Sequence, residues 1–123
     1  MKSDHKARGS RGEELAALFL KKQGYKILET NYRCALGEID IIARHKKVLA
    51  FVEVKTRTST AFGHPKSAVT PKKQRKISMV ALEYLKRNRK LGQAARFDVV
   101  SVLSDGEDPK IEIIQNAFEL AYP

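Results

Sequence analysis

Two neighbouring apolar segments that each carry a pair of charged residues constrain this chain more than any other feature. Residues 37–57 read GEIDIIARHKKVLAFVEVKTR, with apolar segments at 39–43 and 48–54 that contain or adjoin Glu38, Asp40, Glu53 and Lys55. Apolar segments normally exclude charge, because desolvating an unpaired carboxylate costs several kcal/mol. The pattern therefore predicts two strands whose charged side chains have partners or a function.

The spacing of the charges predicts which of them share a face. Residues two apart lie on one face of a strand, so Glu38 pairs with Asp40 on the first strand and Glu53 with Lys55 on the second. The polar stretch 45–47 predicts a turn and hence an antiparallel hairpin. An even-numbered turn places Asp40 opposite Glu53, whereas an odd-numbered turn offsets them by one residue unless a bulge corrects the register.

Spacing alone leaves two interpretations of these charges open. Adjacent carboxylates repel each other, and a divalent cation between them turns that repulsion into a binding site. Oxygen ligands suit Mg²⁺ or Mn²⁺, which usually keep water molecules and bind few carboxylates. The alternative is a pair of cross-strand ion pairs on a solvated face of the sheet.

The same residues resemble a known signature. Asp40, followed by Glu53-Val54-Lys55 at the end of an apolar strand, resembles the D…(D/E)-x-K motif of restriction-endonuclease-like nucleases. The longer string, with RGEELAALFLKKQGY before it, resembles the YraN family, which is similar to the archaeal Holliday-junction resolvases. The resemblance covers about residues 11–120. It implies a single restriction-endonuclease-like α/β domain and a metal-dependent endonuclease acting on DNA phosphodiesters, including branched or structured DNA.

The resemblance also implies a metal site. Asp40 and Glu53 would hold Mg²⁺ or Mn²⁺, with Glu38 assisting and with a glutamate from the first helix, for which Glu14 is the matching residue. For Glu14 the alternative is a solvent-facing acid that complements the helix dipole. Ile39 precedes Asp40 at a position where many nucleases of this class have proline. This difference does not change any of the proposed metal ligands.

Two further residues receive catalytic roles from the resemblance. Lys55 would orient the attacking water or stabilise the transition state, and Gln74 would position the lysine or the water. The alternative for Gln74 is an amide that forms hydrogen bonds at the edge of the core. The predicted catalytic residues are therefore Asp40, Glu53, Lys55 and Gln74.

The first helix is predicted from a capping signal. Ser10 and Glu13 have the S-x-x-E spacing of a capping box, so we expect a helix at about 11–23 that ends before Gly24. Its buried stripe would contain Leu15, Leu18, Phe19 and the stem of Lys22, with Glu14 at the border and Glu13 pointing away. Residues 1–9 are predicted to be a disordered basic tail, and residues 10–123 a nuclease-like domain.

A second helix is predicted to begin at Thr70-Pro71 and to extend to about residue 89. Cations in its first two turns oppose the helix dipole, which fold stability would not favour. A helix N-terminus with several cations is, however, suited to binding phosphate. The predicted nucleic-acid contacts are Arg57, at the end of the hairpin, with Lys72, Lys73, Arg75 and Lys76.

Strands are also expected at 25–33, 96–103 and 111–114, which gives the order α-β-β-β-α-β-β and a central mixed sheet flanked by helices. A loop is expected at 58–69 and contains His64. A single histidine in a loop can be a catalytic residue or a metal ligand, but is more often neither. One cysteine, Cys34, excludes an internal disulfide and fits a reducing cytoplasm. No segment has the roughly 20 apolar residues of a membrane span.

The overall charge favours a polyanionic partner. The chain has 123 residues, a net charge of +10 and a pI near 9.9, which predicts nucleic acid first and an anionic membrane surface second. A non-catalytic nucleic-acid-binding module explains the charge equally well, but does not explain carboxylates inside apolar strands. Metal binding distinguishes the two. The sequence leaves open DNA versus RNA and whether the protein forms a homodimer.

Overall fold

Apolar positions on both faces of the central strands dictate a three-layer arrangement. The computed structural model describes residues 4–58, 69–104 and 108–119, with side chains described from residue 11 onward. The elements are α1 (Asp4–Lys22), β1 (Lys26–Cys34), β2 (Gly37–His45), β3 (Val48–Arg57), α2 (Pro71–Arg87), β4 (Ala95–Leu103) and β5 (Lys110–Phe118). The predicted α/β class and element order are confirmed.

The five strands form one mixed sheet in the order β1-β2-β3-β4-β5. Strands β3 and β4 are parallel, and the other neighbours are antiparallel. A parallel pair cannot be joined by a tight turn, so α2 forms the crossover between β3 and β4. This connection places the first turn of α2 after the carboxyl end of β3, where Glu53 and Lys55 lie.

Each face of the sheet is covered by one helix. On one face, Ile77, Val80 and Tyr84 of α2 pack with Phe51 and other buried side chains of the strands. On the other face, Ala16 and Leu20 of α1 pack with strand residues such as Val52 and Val100. Since side chains alternate along β3, Phe51, Glu53 and Lys55 share the face covered by α2.

The charged hairpin closes with a turn of even length. His45 pairs with Val48, so the loop is Lys46-Lys47, and both loop residues have positive φ, 49° and 70°. Two consecutive residues of positive φ are the geometry of the turns that match strand twist. The pairing continues to Ile41 and Val52, and the next positions in this register are Asp40 and Glu53. The even-turn alternative is therefore the one the protein adopts.

The start and orientation of α1 differ from the prediction. The helix begins at Asp4 rather than Arg11, so residues 4–9 are helical and Ser10 lies within the helix rather than at a cap. Lysine, alanine and arginine between residues 6 and 8 are good helix formers, which favours the extension. Leu18 is 56% exposed, whereas Ala16 and Leu20 are fully buried. The predicted stripe through Leu18 and Lys22 is therefore wrong.

Small residues explain the rotation of α1. Gly12 is buried against β3, and a Cβ at this position would clash with Oγ1 of Thr56. From residue 11 onward, the buried positions of α1 are Gly12, Ala16 and Leu20, so two of these three buried residues are small. This packing turns Glu13, rather than Glu14, toward the hairpin.

The remaining elements agree with the sequence prediction, although some of their ends differ. Thr70 caps α2 and Pro71 is its first residue, as predicted, and the helix ends at Arg87 rather than at about residue 89. Strand β5 extends to Phe118, beyond the predicted end at Ile114. The predicted loop at 58–69, with His64, lies largely outside the described residues. Neither described helix is long and apolar enough to cross a membrane.

Candidate active site

Asp40 lies where the hairpin ladder stops. Its Oδ2 accepts a hydrogen bond of 2.8 Å from the backbone N–H of Val54. A side-chain carboxylate thus satisfies an N–H group that a neighbouring strand would otherwise satisfy. This contact fixes Asp40 beside β3, one residue from Glu53, although the residue comes from a different strand.

Glu53 is the centre of the charged cluster. Its Oε1 lies 3.8 Å from Nζ of Lys55 on the same strand and 3.5 Å from Nζ of Lys73 on α2. The side chain of Glu53 is 12% exposed and that of Lys55 is 20% exposed. The structure therefore brings together Asp40, Glu53 and Lys55, as the hairpin spacing predicts, and adds Lys73 to them.

These groups open into a small cleft between β2, β3 and α2. The cleft has a volume of about 220 Å³ and is lined by Asp40, Glu53, Glu38, Lys73 and Lys76, together with apolar side chains of α2. Liquid water occupies about 30 Å³ per molecule, so the cleft can hold a hydrated ion or a phosphate group. Its walls carry both carboxylates and cations.

The helix α1 contributes Glu13 to this cluster. The pKa of Glu13 is raised by burial and then by the charge and the side-chain hydrogen bond of Asp40. Glu14, the residue chosen from the resemblance, is exposed and points away. Sequence reasoning missed Glu13 because the helix orientation was judged from its large apolar residues. The small residues Gly12 and Ala16 were the signal that indicates the correct face.

The carboxyl groups of the cluster disfavour one another's ionisation. Burial, followed by the charge of Asp40, raises the pKa of Glu53 to about 7, against the opposing effect of Lys73 and Lys55. Burial also raises the pKa of Asp40, although the Val54 N–H stabilises its charged form. A cation bound beside these buried carboxyl groups would stabilise their charged forms.

The two lysines respond in opposite directions. Burial and the contact with Lys73 lower the pKa of Lys55. For Lys73, burial acts to lower the pKa, but the contact with Lys55 and the charge of Glu53 outweigh it and raise the pKa. Lys73 is therefore the more firmly charged of the two, and it is the one closer to Glu53.

The other predicted residues lie at the margins. Gln74 donates a 2.9 Å hydrogen bond to the carbonyl of Val69 and so fixes the start of α2. This contact corresponds to the alternative given for Gln74, an amide that forms hydrogen bonds at the edge of the core. Glu38 pairs with Arg33 at 2.9 Å on the exposed rim of the cleft. Lys72, Arg75 and Lys76 are exposed on the first turns of α2, and Arg57 is partly buried at the end of β3.

The donor set fits a hydrated magnesium or manganese ion. Within the ranges that the structure describes, no three His, Cys, Asp or Glu side chains are grouped to hold a metal. Asp40 and Glu53 nevertheless supply two hard oxygen ligands with raised pKa values. Mg²⁺ typically takes one or two protein carboxylates and completes its octahedron with water and substrate phosphate oxygens.

Comparisons with known proteins place the chain in a family. Residues 12–102 match Uncharacterised protein family UPF0102, which is the YraN family. The chain belongs to this family. A UPF0102 protein of Geobacter metallireducens is 55% identical over 122 residues, which cover 99% of this chain and 100% of that protein. A UPF0102 protein of Pelobacter propionicus is 55% identical, over 97% of this chain and 87% of that protein.

The match to UPF0102 includes the whole cluster. Residues 12–102 contain Gly12 and Glu13 of α1, both hairpin strands and the first turn of α2. A third relative, UPF0102 protein GSU0650 of Geobacter sulfurreducens, is 52% identical over 96% of this chain and 93% of that protein. Members of UPF0102 thus align with this chain across the elements that form the cleft.

Proposed function

We propose that this UPF0102 protein is a metal-dependent nuclease that hydrolyses phosphodiester bonds in DNA. The observation that carries the proposal is the placement of Asp40 and Glu53, two largely buried carboxylates of raised pKa, in the lining of one cleft, with Lys55 3.8 Å from Glu53. Ordinary surface ion pairs do not require burial of two acids side by side, because each acid raises the cost of ionising the other.

Each residue of the cleft has a role that follows from its contacts. Asp40 and Glu53 would hold Mg²⁺ or Mn²⁺, which supplies a water of lowered pKa and stabilises charge on the phosphoryl oxygens. Lys55 would place its ammonium group against the reacting phosphate. Glu13 contacts Asp40 and orients it. Gln74, through the Val69 carbonyl, holds the first turn of α2 beside the cleft.

The start of α2 supports a nucleic-acid substrate. Its first turn has no acidic residue, while Lys72 and Arg75 are exposed there. A helix N-terminus and cations together attract phosphate groups. With a net charge of +10, the protein would bind the DNA backbone with little dependence on sequence. The resemblance to resolvases favours branched or structured DNA.

Two substitutions test the assignment by separating metal binding from catalysis. Glu53→Gln keeps the shape but removes one negative charge from the site, so Mn²⁺ binding measured by titration calorimetry should weaken. Lys55→Ala keeps both carboxylates, so Mn²⁺ should still bind while cleavage falls about 10²–10³-fold. Cleavage is measured on labelled linear, flapped and four-way DNA with and without Mn²⁺.

Glu14→Gln is the matched control, because it makes the same change on the exposed face of α1. We expect it to match the parent in Mn²⁺ binding and in cleavage. If Glu53→Gln and Lys55→Ala also match the parent in both measurements, the four charges are ordinary ion pairs of the sheet. The protein is then the alternative, a nucleic-acid-binding module without catalysis.

A further inference from the structure

Lys73 occupies a position that phosphate binding alone does not explain. Its side chain is 42% exposed, yet its ammonium group lies at the cleft, 3.5 Å from Oε1 of Glu53, whereas Lys72 and Arg75 are exposed. Lys55 contacts the same oxygen at 3.8 Å. One carboxylate oxygen therefore has two ammonium groups beside it, at a site where a divalent cation would also need that carboxylate.

The backbone of Lys73 is fixed by the cap of α2. Its N–H donates a 3.2 Å hydrogen bond to Oγ1 of Thr70, and Pro71 sets the first turn. Gln74 ties the same turn to the buried Val69 through its carbonyl. Two hydrogen bonds and Pro71 therefore hold this turn in place, so the fold fixes the backbone from which Lys73 reaches the cleft.

We propose that Lys73 and a divalent cation compete for the Glu53 carboxylate, so that Lys73 is the internal counter-cation of an unloaded metal site. The inference rests on the proposed function for the identity of the competing cation. It makes Lys73 a positioning residue that favours the charged form of Glu53, holds its carboxylate in place and also lowers the affinity for metal. The ammonium group of Lys73 has the same sign of charge as the metal ion, so it must move away from Glu53 when the metal binds.

The test measures Mn²⁺ affinity of the DNA-free protein by titration calorimetry. Lys73→Met removes the ammonium but keeps a long side chain, and Lys73→Gln provides a second variant. We expect both to bind Mn²⁺ about tenfold more tightly than the parent, an effect moderated by the partial exposure of Lys73. Lys73→Arg keeps the charge, so it should bind Mn²⁺ no more tightly than the parent.

Lys72→Met is the matched control. It removes one positive charge from the same helix turn, but Lys72 is exposed. Removing either positive charge can raise Mn²⁺ affinity slightly through long-range electrostatics. The difference between Lys73→Met and Lys72→Met therefore measures the contact with Glu53. Structural damage at Lys73 would weaken Mn²⁺ binding, and therefore a gain in affinity cannot come from damage.

The outcomes separate this inference from the proposed function. Tighter Mn²⁺ binding by Lys73→Met and Lys73→Gln than by Lys72→Met supports the competition, even if no DNA substrate is cleaved. Equal affinities of the Lys73→Met and Lys72→Met variants, or no Mn²⁺ binding by Lys73→Met, overturn it. DNA cleavage by the parent would then still support the nuclease assignment.

Discussion

At the scale of single residues, the fold buries Glu53 although burial makes ionisation of its carboxyl group unfavourable. The side chain is 12% exposed, and burial together with Asp40 raises its pKa to about 7. An unfolded chain would release this proton near the ordinary glutamate pKa of 4.5. Between these two pH values the folded protein binds more protons than the unfolded chain, so raising the pH destabilises the fold.

Glu53→Gln should therefore remove a pH dependence of stability. We expect the free energy of unfolding of the metal-free parent to fall between pH 4.5 and pH 7 relative to that of the variant, by on the order of 3 kcal/mol. Urea unfolding at several pH values in the presence of a chelator measures this difference. His45, whose pKa is lowered by burial and by Arg96, is present in both proteins and cancels. Parallel pH curves would contradict the raised pKa.

At the scale of secondary-structure elements, the contact between α1 and β3 decides which acid reaches the cleft. Gly12 permits this contact, because the Cβ of any other residue would meet Oγ1 of Thr56 and lie 3.3 Å from both its Cβ and its Cγ2. Rotating the threonine side chain can move Oγ1 away but leaves the Cβ of Thr56 at 3.3 Å, which is a tight contact. We therefore expect α1 to shift if position 12 gains a side chain, and Glu13 to shift with it.

Gly12→Ala should destabilise the protein by about 1–3 kcal/mol through overpacking. This is opposite in sign to the usual gain of about 1 kcal/mol when alanine replaces glycine inside a helix. Thermal and urea unfolding measure the change. Gly92→Ala is the control, because nothing lies within 4 Å of a Cβ placed there. Equal stability of the Gly12→Ala variant and the parent would show that α1 does not pack this closely.

Local signals explain why most of the fold could be predicted from the sequence. The Thr70-Pro71 start of α2 and the turn after His45 depend on neighbouring residues, and both are confirmed. The face of α1 depends on Thr56, which lies 44 positions away from Gly12 in the printed sequence, so helical periodicity alone pointed to the wrong stripe. For the same reason Asp40, Glu53 and Lys55 could be grouped from local spacing, whereas Glu13 could be found only from the small residues Gly12 and Ala16.

A second polar cluster also depends on contacts between residues that are far apart in the sequence. Asp98 of β4 is fully buried and accepts hydrogen bonds from Tyr25, Arg96 and the backbone N–H of Asn116. The ring of Tyr25 stacks on His45 at 4.2 Å between centroids. These partners come from distant parts of the chain, and together they join β2, β4, β5 and the residue just before β1. Removing one partner of a buried carboxylate that is paired in this way is strongly destabilising.

At the scale of the whole molecule, the positive charge is spread over both faces, but only one face adjoins the cleft. Lys72 and Arg75 lie on the first turns of α2, whose Lys73 contacts Glu53, whereas Lys21 and Lys22 lie at the end of α1 on the opposite face of the sheet. A net charge of +10 attracts DNA to any basic surface. The proposed function requires the phosphates to lie at the start of α2.

Reversing two charges on α2 tests this arrangement. The double variant Lys72→Glu/Arg75→Glu should bind DNA more weakly, by about the same factor for every sequence, because phosphate contacts carry no sequence information. Its plot of log affinity against log salt should be shallower by about two units, since each lost phosphate contact removes about 0.9. Fluorescence anisotropy with a labelled duplex at several salt concentrations measures both quantities.

The double variant Lys21→Glu/Lys22→Glu makes the same change in net charge on the α1 side of the sheet. If DNA docks at the start of α2, this control should retain the parent's salt slope and lose only the small affinity that long-range attraction provides, which salt screens within about 10 Å at 0.1 M. Equal losses of affinity and slope in the two double variants would mean that DNA binds without a preferred face. The cleft would then receive no phosphate from docking, and the basic turn of α2 would have to be explained by its contact with Glu53 alone.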